Sequence, residues 1–170
     1  ISDKPVFSPK HGIYSHRLGK QWLAGGASNS GGRVLAQHFT QQQLDQMTPQ
    51  LKPTQATGLD YYPLPATGER FPKNDPDLKN HLSPRPEEDL QFFQAMLEGI
   101  ANIELEGYQQ LARLGAPFPK KIYTAGGGSC NAPWAKIREQ KLGAPVLTAS
   151  HTQASYGAAL LAKQGYLTNT

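Results

Sequence analysis

Cysteine is nearly absent. Cys130 is the one thiol in 170 residues, so an intramolecular disulfide is excluded and a reducing compartment suits the chain. Long apolar runs are missing too. No stretch approaches the ~20 apolar residues that cross a bilayer, and no membrane partner is expected. Ile1-Ser2-Asp3-Lys4-Pro5 carries neither an initiator Met nor the apolar centre of a signal peptide. The expectation is a fragment, or a chain separated from an N-terminal partner. His11, His16, His38, His81 and His151 are far apart in sequence, and with a single Cys they form no metal-ligand pattern. The net charge is +4, but Lys and Arg are scattered without a dense run. That argues against the basic stripe of a nucleic-acid partner. Neither G-x-x-x-x-G-K-[ST] nor G-x-G-x-x-G is present, so P-loop and dinucleotide folds are set aside. Cys130 has no base near it in sequence to make it a nucleophile.

Glycine (17) and proline (14) are plentiful, which implies many turns. A hairpin is expected around Ile13-Tyr14 and Trp22-Leu23-Ala24, turning at Gly19-Lys20. Gly25-Gly26-Ala27-Ser28-Asn29-Ser30-Gly31-Gly32 follows, then a helix over about 33–39 that Ser28, Asn29 or Ser30 would cap. Such a glycine run is either a flexible turn or a place where backbone approaches an anionic ligand. Thr40 to Met47 reads as a short helix. The remainder up to residue 86 is irregular and punctuated by proline, a length expected only where a segment lines a site or an interface. The spacing of Leu90, Phe93, Leu97, Ile100, Tyr108 and Leu111 predicts a helix from about Pro86 to Leu114. Pro86 would open it, Glu87, Glu88 and Asp89 would complement its positive end, and Gly115 would close it. Gly99 and Gly107 leave room for close neighbours.

The last third alternates in type. Ile122 to Ala125 reads as a strand, Gly126-Gly127-Gly128-Ser129-Cys130-Asn131 as a turn, and Ala132-Pro133 as the start of a helix ended by Gly143. Pro145 to Thr148 gives a second strand. A small-faced helix with Ala154, Gly157, Ala158 and Leu161 follows, ended by Gly165. This order is α/β, and ligands of such sheets sit beyond the carboxyl ends of the strands. Three side-chain-free residues there would let a flat purine rest on the backbone, with Ser129 or Asn131 in hydrogen-bonding reach.

Four segments together resemble the C-terminal domain of the FGGY carbohydrate kinases, two-domain enzymes of the actin-like, ribonuclease H-like ATPase superfamily. They are Leu23 to Gly32, Pro63 to Pro72, Ala95 to Ala101, and Ala125 to Asn131 with Trp134, Ile137, Leu142-Gly143 and the closing Gly157-Ala-Ala-Leu-Leu-Ala162. The likeness covers nearly the whole chain and is nearest to D-ribulose and D-xylulose kinases. It implies that 1–170 is an incomplete C-terminal nucleotide-binding domain with an irregular, proline-rich insertion at about 48–86. The function implied is part of an ATP-dependent kinase that transfers the γ-phosphoryl group to a pentulose hydroxyl, this segment being inactive alone. The alternative is a non-enzymatic actin-like nucleotide-binding or interaction domain. ATP and Mg2+ are the implied cofactors. An upstream sugar-binding domain or chain is the implied partner, and the cytoplasm (or a plastid stroma in a plant) the implied location.

Carried over residue by residue, the resemblance sets Gly127 and Gly128 against the adenosine and Asn131 at the adenine edge. Gly26 would approach the phosphates or ribose, and Ser30 would make a polar nucleotide contact. Gly68, Glu69, Arg70 and Pro72 would shape the surface near the cleft, Glu98 and Gly99 would be support, and Gly157-Ala-Ala would pack a helix on the sheet. The catalytic aspartate of the family lies in a segment upstream of Ile1. Asp3 and Asp60 do not stand in its context, so no catalytic residue is expected in this chain.

Overall fold

The structure, a computed structural model, describes residues 1–151 and 153–168. The chain opens with an antiparallel hairpin of β1 (Tyr14–Leu18) and β2 (Gln21–Gly25), turning at Gly19 as the sequence suggested. A 3-10 helix, Gly32–Gln37, and α1 (Gln41–Met47) follow. Thr40 and Gln43 form a reciprocal capping box on α1, which fixes where that short helix starts. The chain then runs irregularly to α2 (Asp89–Arg113). After it come β3 (Ile122–Thr124), α3 (Ala132–Leu142), β4 (Val146–Thr148) and α4 (Ala154–Thr168). β3 and β4 pair in parallel, with Ile122 opposite Val146, and α3 is their crossover.

α2 is the spine. Its 25 residues span about 37 Å, and Phe92, Phe93, Met96 and Leu97 on it are fully buried. They pack against Val34, Leu35 and Phe39 from the first glycine-rich segment, Tyr61 from the irregular stretch and Ile137 from α3. Ile122, Leu142, Ala144 and Val146 form a second cluster that seats the β3–β4 pair against Leu105 and Tyr108 of α2. Gly99 has the close neighbour expected of it. A Cβ there would lie 2.6 Å from the Tyr61 carbonyl oxygen.

Polar residues of α2 hold the irregular stretch. Gln94 accepts from the Lys52 N–H at 2.8 Å and donates to the carbonyls of Lys52 (3.1 Å) and Gln55 (2.6 Å). Glu98, 4% exposed, accepts from the Thr57 N–H and hydroxyl and from Gln94. Its supporting role is therefore concrete: it satisfies the backbone of a segment without regular ladders.

Several expectations are corrected. α2 begins at Asp89 with Glu88 as its N-cap, so Pro86, Glu87 and Glu88 precede the helix. Its C-terminal end is as expected, with Gly115 at φ 97° and the Ala116 N–H reaching the Leu111 carbonyl at 3.0 Å. The 33–39 helix is the 3-10 turn Gly32–Gln37, and its N-cap, Gly31, has no side-chain cap. Ser28 and Asn29 bond to Glu69 instead. Gly165 does not end α4, which continues to Thr168; an interior glycine costs only about 1 kcal/mol. α4 does not pack on the sheet either. At Gly157 nothing lies within 4 Å of where a Cβ would stand, and Leu160, Leu161 and Tyr156 are exposed.

Among the described residues, no helix is long and apolar enough to cross a membrane.

Candidate nucleotide cleft

The two glycine-rich segments lie about a hundred residues apart in sequence, yet they line one cleft. Its volume is about 540 Å³. One wall is the loop after β2, with Gly26, Ser28, Ser30 and Gly32; the opposite wall is the end of β3 and the turn after it, with Thr124, Ala125 and Gly128. The floor is the face of α2 that carries Ile100, Ile103, Glu104, Gly107 and Tyr108. A second cavity of about 630 Å³ adjoins it across Gly32, Gly128 and Trp134, and Gly127, Cys130 and Asn131 line that one. Leu35, Leu44, Phe93 and Leu97 give it an apolar interior, and Gln41, Asp45 and Thr48 a polar edge.

Ser30 holds the most informative atom. Its Oγ is the buried side-chain polar atom without a hydrogen-bond partner among the described residues. An orphaned buried hydroxyl costs about 1–3 kcal/mol, and Ser30 is among the residues that line the cleft. A polar ligand entering there would satisfy it.

The glycines differ from one another. Gly127 is exposed, and nothing lies within 4 Å of where its Cβ would stand. Gly128 is half-buried and packs on its own chain, since a Cβ there would lie 2.3 Å from Trp134 Cζ3. Gly126 takes φ 87°, which glycine alone adopts freely, and Ser129 Oγ closes the turn by donating to the Gly126 carbonyl at 2.7 Å. Gly26 lines the cleft, but the space beside its Cα belongs to Phe71, whose Cγ would be 2.4 Å from a Cβ. The same ring reaches Gly107 on α2, so Phe71 is a wedge between the loop and the helix.

Asn131 is the N-cap of α3. Its Oδ1 accepts from the Trp134 N–H at 2.9 Å, which commits the acceptor and leaves the NH2 to a ligand. Trp134 is held in turn through Nε1, which donates to the Leu97 carbonyl at 3.3 Å.

Three cleft residues escaped the sequence reading. Arg138 is 6% exposed. Its Nε and Nη2 donate to Glu104 at 2.7 and 2.8 Å, and Nη1 donates to Thr124. This fork ties α3, α2 and β3 together just before the glycine turn. The phenol of Tyr108 is pushed up, first by burial and then by the Glu104 carboxylate, with Arg138 opposing. No local signal marked these residues, because a charged pair shared between two helices leaves no short-range spacing. Of the group expected to shape the surface near the cleft, Glu69 is 2% exposed, Gly68 and Pro72 are buried too, and Arg70 alone is exposed. Cys130 is exposed.

Among the described residues, no three His, Cys, Asp or Glu side chains gather as a metal site. Mg2+ that arrives with nucleotide phosphates needs only one or two protein carboxylates, and no step is assigned to the metal below.

Known proteins agree with this architecture. The C-terminal domain of the FGGY family of carbohydrate kinases matches residues 1–165. Among solved structures, a xyloylose kinase from Brucella ovis is similar at 24% identity and TM-score 0.77, over 94% of this chain and 34% of that one. A ligand-bound xylulose kinase from Lactobacillus acidophilus is similar at 20% identity and TM-score 0.74, over 96% and 35%. A gluconate kinase from Lactobacillus acidophilus is similar at 20% and 0.76, again over 96% and 35%. The chain thus spans about a third of the length of these structures, and it shares their α/β fold whichever sugar acid or ketose their names carry. With the family matched over nearly its full length, this chain belongs to the FGGY family of carbohydrate kinases, as a C-terminal domain.

Proposed function

We propose that the cleft binds ATP and that the whole protein uses it to phosphorylate a sugar hydroxyl, with a pentulose as the sugar. Adenine would rest in the second cavity against the Gly127 backbone, with the Asn131 NH2 at its edge. The ribose and phosphates would extend past Gly128 toward Gly26 and the Ser30 hydroxyl. The observation that carries this reading is the buried, unpartnered Ser30 Oγ in a cleft shared by two remote glycine segments.

In the transfer, the sugar hydroxyl oxygen attacks the γ-phosphorus in line, its proton passes to a base, and the β,γ-bridging oxygen leaves with ADP. The chain's own groups bind and orient. Neither Glu104 nor Glu69 is free to be the base, and Asp45 lies at the edge of the second cavity, where adenine is proposed, and accepts from Gln41. Glu104 is engaged by the Arg138 fork, and Glu69 accepts from several donors at once. The base and the sugar pocket would come from the rest of the protein. The β3–β4 pair supports that division. Parallel sheets are stable when both faces and edges are covered, and here two three-residue strands stand with Tyr123 and Leu147 exposed.

The test is a coupled ADP-release assay on the full-length protein with D-ribulose, D-xylulose and D-gluconate, alongside ATP titration. Binding of ATP with turnover of a pentulose is expected. ATP binding without turnover of any sugar would favour a non-enzymatic nucleotide domain, and no ATP binding would overturn the reading.

A further inference from the structure

We propose that Glu69 is a positioning residue for the nucleotide: it acts through Ser28 to hold the Ser30 hydroxyl in the cleft. The proposal rests on the ATP reading above. The Glu69 side chain is 2% exposed, a costly place for a carboxylate unless donors surround it. Four do. Oε1 accepts from the N–H groups of Asn29 (2.6 Å) and Arg70 (2.8 Å). Oε2 accepts from the hydroxyls of Ser28 (2.7 Å) and, more distantly, Tyr62 (3.4 Å).

Two of these donors belong to the glycine-rich loop after β2. The Ser28 oxygen that donates to Glu69 also accepts from the Ser30 N–H at 3.0 Å, so two hydrogen bonds through Ser28 link the carboxylate to the residue whose Oγ is unpartnered. Asn29 is fixed at both ends of its amide. Its Nδ2 donates to the Gly68 carbonyl at 3.0 Å and its Oδ1 accepts from Arg70 Nε at 2.8 Å. The loop's own 3-10 bonding starts only at Val34, whose N–H reaches Gly31. Residues 28–30 are therefore placed by the turn that carries Glu69, a segment about forty residues away in sequence. Phe71, two residues on, wedges the same loop against α2 from its apolar side. The irregular stretch thus has a task at the site: it aims the loop. Glu69 never needs to touch ATP.

A purely structural role and a positioning role differ in a double-mutant cycle. ATP is titrated into the full-length protein carrying Ser30→Ala, Glu69→Ala or both, and KM values for ATP and for sugar are measured with thermal melts. Ser30→Ala and Glu69→Ala are each expected to weaken ATP binding about tenfold. The double variant is expected to be no more than about threefold weaker than either, because both remove the same interaction. KM for the sugar should stay within about twofold. Glu69→Gln keeps an acceptor for the Asn29 N–H and a donor for Ser28, and should recover most of the affinity. Ser28→Ala, which cuts the link while leaving Glu69 its other donors, should match Glu69→Ala and serves if that variant does not fold. Wild-type ATP affinity in both Glu69→Ala and Ser28→Ala, or losses that multiply in the double variant, would overturn the proposal while leaving the ATP reading intact. Failure of the unaltered protein to bind ATP would overturn both.

Discussion

Gly127→Val and Gly128→Ala separate the proposed contact with adenine from packing within the chain. Around Gly127 the chain is open: no heavy atom lies within 4 Å of the added Cβ, and its φ is outside the left-handed region. Valine should therefore fit without moving any neighbour. Gly127 lines the second cavity, so the valine methyls are expected to compete with the adenine proposed to lie on that backbone. Displacing a packed group by such an insertion costs about 1–3 kcal/mol, which corresponds to about a 5- to 150-fold rise in Kd. Gly128→Ala supplies the contrast. Its Cβ would fall 2.3 Å from the Trp134 ring, so the change should lower stability by about 1–3 kcal/mol as well as affinity. Isothermal titration with ATP and thermal melts of the two variants read both quantities. Gly127→Val should keep the wild-type Tm and lose affinity; Gly128→Ala should lose Tm. Wild-type ATP affinity in Gly127→Val, at an unchanged Tm, would refute the reasoning.

Other perturbations test the frame around the cleft. Gly99→Ala would raise helix propensity by about 1 kcal/mol in an open helix, but its Cβ would meet the Tyr61 carbonyl at 2.6 Å, so urea unfolding should show a net loss of about 1–3 kcal/mol. Arg138→Met leaves the half-buried Glu104 without its fork; a loss near the lower end of the ~3–5 kcal/mol for a broken buried pair is expected, with partial recovery when Glu104→Leu is added. Burial raises the phenols of Tyr61, Tyr62 and Tyr108 above their ordinary 10.0, with the Glu69 carboxylate adding at Tyr62 and Glu104 at Tyr108. Because the folded values are the higher ones, the stability they carry is full below 10.0 and lost as pH rises beyond it. Urea midpoints should therefore hold up to about pH 10 and fall as the pH rises beyond it, and fall less in Tyr62→Phe.

What the sequence revealed was what short-range patterns encode. The apolar spacing along α2, the Asn131 and Gly143 ends of α3 and the turn at Gly19 are all local signals, and the structure follows them. The start of α2 and the end of α4 were harder. A proline or glycine marks where a helix can start or stop but not where it does: Glu88, the N-cap of α2, makes no side-chain cap bond, and α4 runs past Gly165. The cleft was half legible. Glycine runs announced bare backbone at two places, but their juxtaposition depends on the packing of α2 between them. Arg138 remained hidden, and Glu69 was legible only as a residue near the cleft, for the same reason: each is buried by partners roughly 14 to 41 residues away, and a charged residue in a turn or on a helix reads as solvent-facing until its partner is placed.

The most direct measurement of the central claim is a crystal structure of the full-length protein with a non-hydrolysable ATP analogue. Adenine is expected against the backbone of Gly127, with a polar ligand atom in hydrogen-bonding reach of Ser30 Oγ. A nucleotide bound elsewhere, with the Ser30 hydroxyl still unpartnered, would contradict the account.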